Sequence, residues 1–325
     1  MKTVKIHFLG FWPRFKNDNN MFYNILKNRY HVVLDDKDPD FLICSPLCAP
    51  FEYMKYDCPR IMYTGEYLSP DFTAIDYFIG FDDINFGDRM FRLPLYLYSD
   101  HCQFPPADPP TYDQAAKILK SKEYFCNYIF GHQTQMGIRE QILDGLATYR
   151  RVECAGTHRN NMPDGLTLNI HNKFDFMRKC KFSISAESVC YPGFTSEKIG
   201  HAFRTSSIPI YYGDPDVTKD FNENAFVNYS SFENVDALVK RVIELDQNDD
   251  LYIEMLCQYR YVQANFEAVM LEKFTQYLYN IFDQDKEEAY RRPRYYRSQW
   301  HESYLKEFNR MQTALPYRLL RKLKL

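Results

Sequence analysis

The sequence predicts an α/β protein made of two doubly wound domains followed by C-terminal helices. Three observations support this class. Short apolar runs alternate with helical patterns early in the chain, the alternation restarts after residue 122, and prolines cluster between the two series. Alternating strands and helices are typical of parallel sheets, because parallel strands need crossover connections. A chain of 325 residues with 45% hydrophobic content can form two such cores.

The first series begins with an alternating apolar strand over residues 2–9 and a helix over residues 20–29. Four short apolar runs then predict further strands: Tyr30–Asp35, Asp40–Ser45, Arg60–Tyr63 and Tyr77–Gly80. Each run ends at a glycine or a polar turn, as strands do. We therefore expect a first domain over residues 1–110.

The second series follows residues 99–121, which carry two pairs of prolines and predict an irregular connection between the domains. Strands and helices are then predicted in alternation over Tyr124–Phe130, 137–149, Arg151–Cys154, 171–179 and Lys181–Ser185. Apolar residues at helical spacing predict a helix over 233–245, and 250–285 is also expected to be helical. A second domain with a nucleotide-binding layout is therefore expected over 122–285.

Nine cysteines are scattered along the chain without a CxxC pair, which predicts reduced thiols rather than a disulfide framework. Cys44 and Cys48 are interpreted as core cysteines near a strand end, with a zinc site as the alternative. The N-terminal apolar run stops at Trp12, too short for a signal peptide, and no segment is long enough to span a bilayer. These features predict a cytoplasmic protein.

The charge is unevenly distributed, because residues 291–325 have a net charge of +8 and the preceding residues −11. Residues 286–325 are therefore predicted to form a basic amphipathic tail. One helical face of this tail would carry Leu315, Leu319, Leu320 and Leu323. An anionic membrane surface is the predicted partner, with peripheral association at its inner face, and a solvated helix is the alternative. Nucleic acid is not expected, because the rest of the chain would repel it.

The segment after residue 186 predicts an anion site at the start of a helix. Thr195 and Ser196 are good N-cap residues, and Glu197 and Lys198 fall in the first turn. A diphosphate there would meet backbone amides and the Lys198 ammonium, while Glu197 could accept hydrogen bonds from sugar hydroxyls. An ordinary capped helix with a surface ion pair is the alternative.

The anion site is followed by a strand that ends in a turn at Gly213, at the edge of a sheet where ligands bind. No GxGxxG or GxxxxGK motif occurs, so neither dinucleotide nor P-loop chemistry is indicated. Asp214 and Asp216 imitate a DxD metal motif, although the proline between them favours a turn.

Three separated blocks of residues resemble one family, the bacterial α-1,3-fucosyltransferases of glycosyltransferase family ten. The blocks are Arg60–Glu66 with Ser69-Pro70; Asp76–Asp82, Asp88-Arg89 and Arg92–Tyr96; and Phe194–Pro215 with Lys219–Asn222 and Phe226–Asn228. The resemblance covers nearly the whole chain. It implies a GT-B-type architecture, in which two Rossmann-like domains face each other across a cleft.

The family activity implied is inverting transfer of L-fucose from GDP-β-L-fucose to a GlcNAc-containing glycan such as N-acetyllactosamine, in α-1,3 or α-1,3/4 linkage. Such a reaction serves glycan or lipopolysaccharide biosynthesis. No cofactor is implied to be obligatory, and Mn²⁺ or Mg²⁺ would be at most stimulatory.

The resemblance also implies residue roles. Glu66 matches the general base, Arg139 and Lys198 match the cations that contact the donor diphosphate, and Glu197 matches the ligand of donor hydroxyls. Glu187 is kept from the family's Glu-Asn pair. The chain departs from the family at two further donor positions, since Ser188 replaces Asn and Phe194 replaces Tyr.

Ser188 and Phe194 lack the side-chain groups found at these positions in the family. Each is therefore expected to lose one hydrogen bond to the sugar-nucleotide donor. The heptad repeats of some relatives are absent, so dimerisation through such repeats is not expected.

Two other functions remain open on the residues alone. One is a GT-B transferase that uses another sugar nucleotide, and the other is a non-catalytic glycan-binding protein at a membrane surface. Intact Glu66, Arg139 and Lys198 argue against the second.

Overall fold

The computed structural model describes residues 1–98, 108–134, 137–168 and 172–314. Its strands are β1 (Thr3–Leu9), β2 (His31–Leu34), β3 (Phe41–Cys44), β4 (Arg60–Tyr63), β5 (Tyr77–Gly80), β6 (Met90–Arg92), β7 (Tyr124–Tyr128), β8 (Val152–Cys154), β9 (Cys180–Ala186), β10 (Ile208–Tyr212) and β11 (Val227–Asn228). Its helices are α1 (Met21–Leu26), α2 (Tyr112–Lys120), α3 (Ile138–Tyr149), α4 (Lys173–Arg178), α5 (Glu197–Arg204), α6 (Val235–Gln247), α7 (Asp249–Leu256), α8 (Phe266–Phe282) and α9 (Arg297–Thr313).

The chain folds into two compact units. The first unit contains Met1–Leu93 and the segment that begins at Met270, and the second contains Pro94–Val269. One limit between the units falls at Leu93 and Pro94, and the other at Val269 and Met270. Each unit is built around one parallel sheet.

The first unit holds six strands in the order β2-β1-β3-β4-β5-β6, all paired in parallel. Strands β3, β4 and β5 are buried at every position, as expected of central strands covered on both faces. Helix α1 starts where the Asn20 side chain accepts a hydrogen bond from the Tyr23 amide. Cys44 is buried at the end of β3, and Cys48 is half-buried in the following loop.

A buried charge network connects the amino ends of β4 and β5 to the C-terminal part of the first unit. Asp76 accepts hydrogen bonds from the backbone amides of Arg60 and Arg292, each at 2.8 Å, and pairs with the Arg292 guanidinium. The Arg60 guanidinium donates to Glu302 on α9 at 2.8 Å. Burial opposes ionisation of Glu302, but Arg60 and Lys306 outweigh it and lower the pKa of Glu302 to about 2.

The second unit holds five parallel strands in the order β11-β10-β9-β7-β8. All seven positions of β9 are buried, so this strand forms the centre of the sheet. The sequence predicts an apolar stripe of Val235, Leu238, Val239, Val242 and Ile243 on helix α6. The helix buries Leu238, Val239 and Val242 of that stripe together with Leu245, while Val235 and Ile243 are partly buried against the same core.

The predicted α/β class is confirmed, and β4 and β5 have the predicted bounds. Two predictions are wrong. Residues 112–120 of the expected irregular connection form α2, because Thr111 and Gln114 build a reciprocal capping box at its start. The expected helical segment 250–285 is interrupted between α7 and α8, where Asn265 adopts a left-handed conformation.

Within the described ranges, no helix combines the length and apolarity that a bilayer crossing requires. The predicted amphipathic stretch with Leu315, Leu319, Leu320 and Leu323 lies outside the described residues. Helix α9, which precedes it, was not predicted as a separate element.

Candidate active site

The predicted donor residues lie at the carboxyl edge of the second sheet. Glu187 directly follows β9, Gly213 directly follows β10, and Arg139 lies in the first turn of α3. Helix α5, which carries Glu197 and Lys198, runs between β9 and β10. This edge is where ligands bind in parallel α/β sheets, because helices start there with unpaired amides.

Glu187 is the centre of a buried hydrogen-bond cluster, and its side chain is fully inaccessible to solvent. Its Oε1 accepts hydrogen bonds from the Ser196 amide and hydroxyl, each at 2.8 Å. Its Oε2 accepts one from Lys198 Nζ at 3.1 Å. The anion that is held before α5 is therefore the protein's own carboxylate.

Ser196 occupies the N-cap position of α5, as the sequence predicts, but its side chain does not cap the helix. The hydroxyl instead donates to Glu187 and accepts from Lys198 Nζ at 2.8 Å. A charged acceptor competes more strongly for a hydroxyl proton than the neutral groups at a helix end. The predicted capping role of Ser196 is wrong for this reason.

Gly213 makes room for the Glu187 side chain. Its φ of +158° suits extended backbone, and a Cβ added there would lie 2.5 Å from Glu187 Cγ and 2.9 Å from the Tyr211 hydroxyl. Real Cβ atoms do not approach other atoms so closely, so any larger residue must displace Glu187. The absence of a side chain at Gly213 thus allows the end of β10 to pack directly against Glu187.

Asp214 fastens the loop between β9 and α5. Its buried carboxylate accepts hydrogen bonds from the amides of Gly193 and Asp216, each at 2.8 Å, and from the Thr195 hydroxyl at 3.0 Å. Lys219 pairs with Asp216 at 3.2 Å. Both carboxylates of the Asp-Pro-Asp motif are therefore engaged in holding the turn. The described part of the chain contains no group of three or more His, Cys, Asp or Glu side chains arranged to hold a metal ion.

Burial and neighbouring charges shift the pKa values of Glu197 and Lys198. Burial raises the pKa of Glu197, but the positive charges of Lys198, His201 and Lys173 outweigh it and bring the value to about 2. Burial lowers the pKa of Lys198, but the carboxylates of Glu187 and Glu197 outweigh it and the pKa is raised. Both groups are therefore ionised at neutral pH. Lys198 keeps 27% of its side chain exposed, so a ligand can contact this side chain.

Arg139 is buried beside this cluster. Its guanidinium lies 4.0 Å from the centre of the Phe130 ring and 3.3 Å from Glu140 Oε1, and it donates to the His132 carbonyl. Its positive charge lowers the pKa of Lys198, so the two cations act on the same region. The structure thus brings together Arg139, Glu187, Glu197 and Lys198.

The two positions that depart from the family pattern lie in the loop that Asp214 holds. Ser188 is exposed directly after Glu187, and Phe194 is buried two residues before Ser196. The sequence did not predict that Ser196 binds Glu187 or that Gly213 makes room for it. The glycine after β10 does predict a turn, but a turn signal does not show which side chain packs against it.

Glu66 belongs to the first unit and is exposed in the loop after β4. Its amide donates to the Thr64 hydroxyl at 2.9 Å, and its carbonyl accepts from the Leu68 amide at 2.8 Å. These bonds form a tight turn that presents the carboxylate at the carboxyl edge of the first sheet. The predicted base and the predicted donor residues thus lie on different units.

Two parallel α/β units, with charged clusters at the carboxyl edge of the second, define a glycosyltransferase of GT-B type. Two family models match the chain. "Alpha-(1,3)-fucosyltransferase FucT N-terminal domain" matches residues 6–99, and "Glycosyltransferase family 10 (fucosyltransferase) C-term" matches residues 119–277. The chain belongs to glycosyltransferase family 10, as its sequence motifs predict.

Individual relatives agree with the family models. The chain is 30% identical to the α-(1,3)-fucosyltransferase FucT of Helicobacter pylori over 73% of its own length and 55% of the relative. It therefore spans about half the length of that curated relative, and less of two others that it matches.

Two solved structures also match. An α1,3-fucosyltransferase with GDP-fucose is 25% identical, covers 86% of this chain and 91% of its own, and gives a TM-score of 0.66. The corresponding structure with GDP is 25% identical, covers 85% and 90%, and gives 0.67. The predicted GT-B-type fold is confirmed.

Proposed function

We propose that this chain transfers L-fucose from GDP-β-L-fucose to a GlcNAc-containing glycan such as N-acetyllactosamine, with inversion at the anomeric carbon. The observation that carries the proposal is the buried cluster of Glu187, Ser196 and Lys198 before α5, in a chain of the fucosyltransferase family. The cluster fixes a cation and a helix start at the sheet edge that binds nucleotides in such folds.

The donor half of the mechanism uses charge neutralisation. As the bond between the anomeric carbon and the phosphate oxygen breaks, its electron pair stays with GDP and the diphosphate gains negative charge. Lys198 and Arg139 stabilise this charge, and Glu187 keeps the Lys198 ammonium oriented before the donor arrives. Glu197 is ionised at any working pH and accepts hydrogen bonds from donor hydroxyls.

Metal ions are not obligatory in this proposal. Two cations and the amides at the start of α5 supply the positive potential that a divalent ion supplies in other transferases. Mn²⁺ or Mg²⁺ would then be at most stimulatory, and transfer should persist in a chelator such as EDTA. Complete loss of transfer in EDTA, with recovery on adding Mn²⁺, would overturn this part.

The acceptor half of the mechanism assigns Glu66 as the general base. Its carboxylate takes the proton of the attacking acceptor hydroxyl while the new bond to the anomeric carbon forms. A single displacement of this kind inverts the anomeric centre. Exposure of Glu66 at the carboxyl edge of the first sheet supports the role, because an acceptor can reach it.

The proposal is tested with a panel of nucleotide sugars. GDP-fucose should raise the melting temperature of the protein more than UDP-sugars or GDP-mannose do, because only a bound donor stabilises the folded state. A glycan array with GDP-fucose should then yield products heavier by one fucose, and linkage analysis identifies α-1,3 or α-1,4.

Stabilisation by a different nucleotide sugar alone would assign another donor. Glycan binding without release of GDP would assign a non-catalytic protein.

We further propose that the C-terminal part of the chain binds an anionic membrane surface, with the protein at the cytoplasmic face. Helix α9 supports this, because Trp300 and Tyr304 are 72% and 82% exposed and share a face with Phe308 and Met311. Aromatic residues beside basic ones favour the membrane interface. The chain should sediment with phosphatidylserine vesicles, and a chain with both aromatic residues changed to serine should sediment less. Equal sedimentation would contradict the proposal.

A further inference from the structure

We propose that a cavity beside Glu66 in the first unit binds an apolar aglycone of the acceptor, so that the acceptor class is a glycan attached to a lipid-like chain. The inference rests on the proposed fucosyl transfer, because it names the acceptor class of the same site. It is carried by the position, lining and surroundings of the cavity.

The cavity has a volume of about 240 Å³ and lies between the loops that follow β3 and β4. Its lining is mostly apolar and includes Pro46, Pro50, Phe51, Met62, Leu68 and Ile75. A water molecule takes about 30 Å³ in the liquid, so the cavity has room for several heavy atoms of an alkyl or acyl chain. A sugar ring would leave most of its hydroxyls without partners on such walls.

The cavity adjoins the predicted base. Leu68 and Ser69, which line it, belong to the same loop as Glu66. Three residues of extended chain span at most about 10 Å, so the opening lies within a sugar's reach of the Glu66 carboxylate. The loop is held in place, since the Tyr67 ring stacks on the buried Phe81 ring with 5.8 Å between ring centres. A molecule with its chain in the cavity would therefore present its sugar to Glu66.

The surface around this edge is also apolar. Three successive loops at the carboxyl edge of the first sheet expose large hydrophobic side chains: Leu47 after β3, Tyr67 and Leu68 after β4, and Ile84 and Phe86 after β5. Exposed hydrophobic residues that cluster at one edge mark a binding surface, whereas single ones are ordinary.

Helix α9 connects the cavity to the proposed membrane surface. Phe308 packs its ring edge-on against Phe51 at 6.0 Å, and the Asn309 side chain donates to the Pro50 carbonyl. The wall of the cavity is thus fixed by the helix that exposes Trp300 and Tyr304. A glycan carried on a lipid-like chain is found at such a surface, which is why we assign this occupant rather than a longer free glycan.

Transfer kinetics test the inference with octyl glycosides, each below its critical micelle concentration. We expect octyl N-acetyllactosaminide to have a KM at least about tenfold below that of free N-acetyllactosamine, since burial of two methylene groups would supply this ratio. Octyl lactoside and free lactose should show the same ratio. Equal KM values within both octyl and free pairs, with a lower KM for free N-acetyllactosamine than for free lactose, would assign the cavity to the acetamido group and overturn the aglycone assignment.

Two variants locate the effect. Ala49→Phe fills the cavity and Leu68→Ser opens its wall, and each should reduce the octyl advantage to less than about threefold. Leu271→Ser is the matched control, because Leu271 on α8 is 42% exposed and Leu68 is 41% exposed. The control should keep the full ratio. An unchanged ratio in Ala49→Phe, with a melting temperature equal to that of the wild type, would overturn the proposal.

Direct binding separates this inference from the proposed function. Titration calorimetry with octyl glycoside should show binding to the wild type and none to Ala49→Phe, whether or not fucose is transferred. Binding without transfer to any acceptor would refute the transferase function and keep the cavity assignment. Transfer to free glycans without octyl binding would refute the cavity assignment alone.

Discussion

The two units differ in the groups that lie at the carboxyl edges of their sheets. In the second unit, Glu187 and Lys198 pair at the carboxyl edge, where a donor would bind. In the first unit, Asp76 and Arg292 pair at the amino edge of β4 and β5, and the carboxyl edge carries the exposed Glu66 among apolar loops. The second unit has a further buried pair, Lys181 with Asp246, at its amino edge, so the carboxyl-edge pair is the one that the proposed donor binding uses.

This difference fits the proposed function, in which the two edges bind different ligands. A diphosphate is a fixed, charged group, so its site gains from cations oriented beforehand by buried carboxylates. Acceptors vary in shape, so an exposed carboxylate on a loop with apolar surroundings is suited to them. The comparison predicts that a substitution at the carboxyl edge of the first sheet lowers the transfer rate without changing donor affinity. A substitution at the carboxyl edge of the second sheet should lower donor affinity.

The largest expected effect is at the base. Glu66→Gln removes the proton acceptor and keeps the shape, so transfer should fall by about 10³-fold, while the Kd for GDP changes by less than about twofold. Product-formation assays measure the transfer rate, and titration calorimetry with GDP measures the Kd. Glu288→Gln, another exposed carboxyl of the first unit, is the control and should leave both unchanged. Transfer at the wild-type rate in Glu66→Gln would remove the base assignment.

The next effect is on donor binding. Lys198→Gln should raise the Kd for GDP-fucose by about 10–100-fold, since a hydrogen bond to a charged group contributes about 1.5–3 kcal/mol. Lys219→Gln removes an exposed lysine that pairs with Asp216 and should leave the Kd unchanged. Calorimetry with GDP-fucose measures both. Equal affinity in the two variants would show that Lys198 does not contact the donor.

A pair of glycines tests how tightly the donor edge is packed. Gly213→Ala places a methyl group against Glu187 and should reduce the free energy of unfolding by about 1–3 kcal/mol. Gly200→Ala lies in α5, where an added Cβ meets nothing within 4 Å, and should raise it by about 0.5–1 kcal/mol. Urea denaturation compares the two. Destabilisation of similar size in both would contradict the close packing at Gly213.

The last effect, which disappears in acid, concerns the buried charges of the first unit. Because the folded-state pKa of Glu302 is about 2, below its ordinary value of 4.5, its contribution to stability is present above about pH 4.5 and is lost as the pH falls towards 2. Glu302→Gln should therefore be less stable than the wild type by about 1–3 kcal/mol at neutral pH, and the gap should shrink in acid.

Denaturation series at several pH values check this prediction. A gap that stays constant between neutral pH and about pH 3 would show that the Glu302 charge does not contribute.

Much of the fold could be predicted from local patterns. The apolar runs of β4 and β5 sit in buried central strands, so composition and turn signals define their ends. Helix α2 was missed because the nearby prolines dominated the pattern, although Thr111 and Gln114 carry a capping signal. Short edge strands such as β11 have too few residues to show a period.

The residues of the candidate site could be predicted from the sequence, but the hydrogen bonds and ion pairs between them could not. Glu187, Glu197 and Lys198 follow from the motif around α5, whereas the diversion of the Ser196 hydroxyl to Glu187 depends on how β9 and β10 lie side by side. The partners Arg60 and Glu302 are far apart in the sequence, and no local pattern relates them. Contacts of this kind require the tertiary structure.

The discontinuity of the first unit has a consequence for synthesis on the ribosome. Strands β1–β6 emerge first, but the groups that pair with Arg60 and Asp76 emerge only after the whole second unit has been translated. The second unit is contiguous and can fold as soon as it leaves the exit tunnel. The first unit must wait with a partly formed sheet, so a nascent chain stalled before residue 290 should bind chaperones through its N-terminal third.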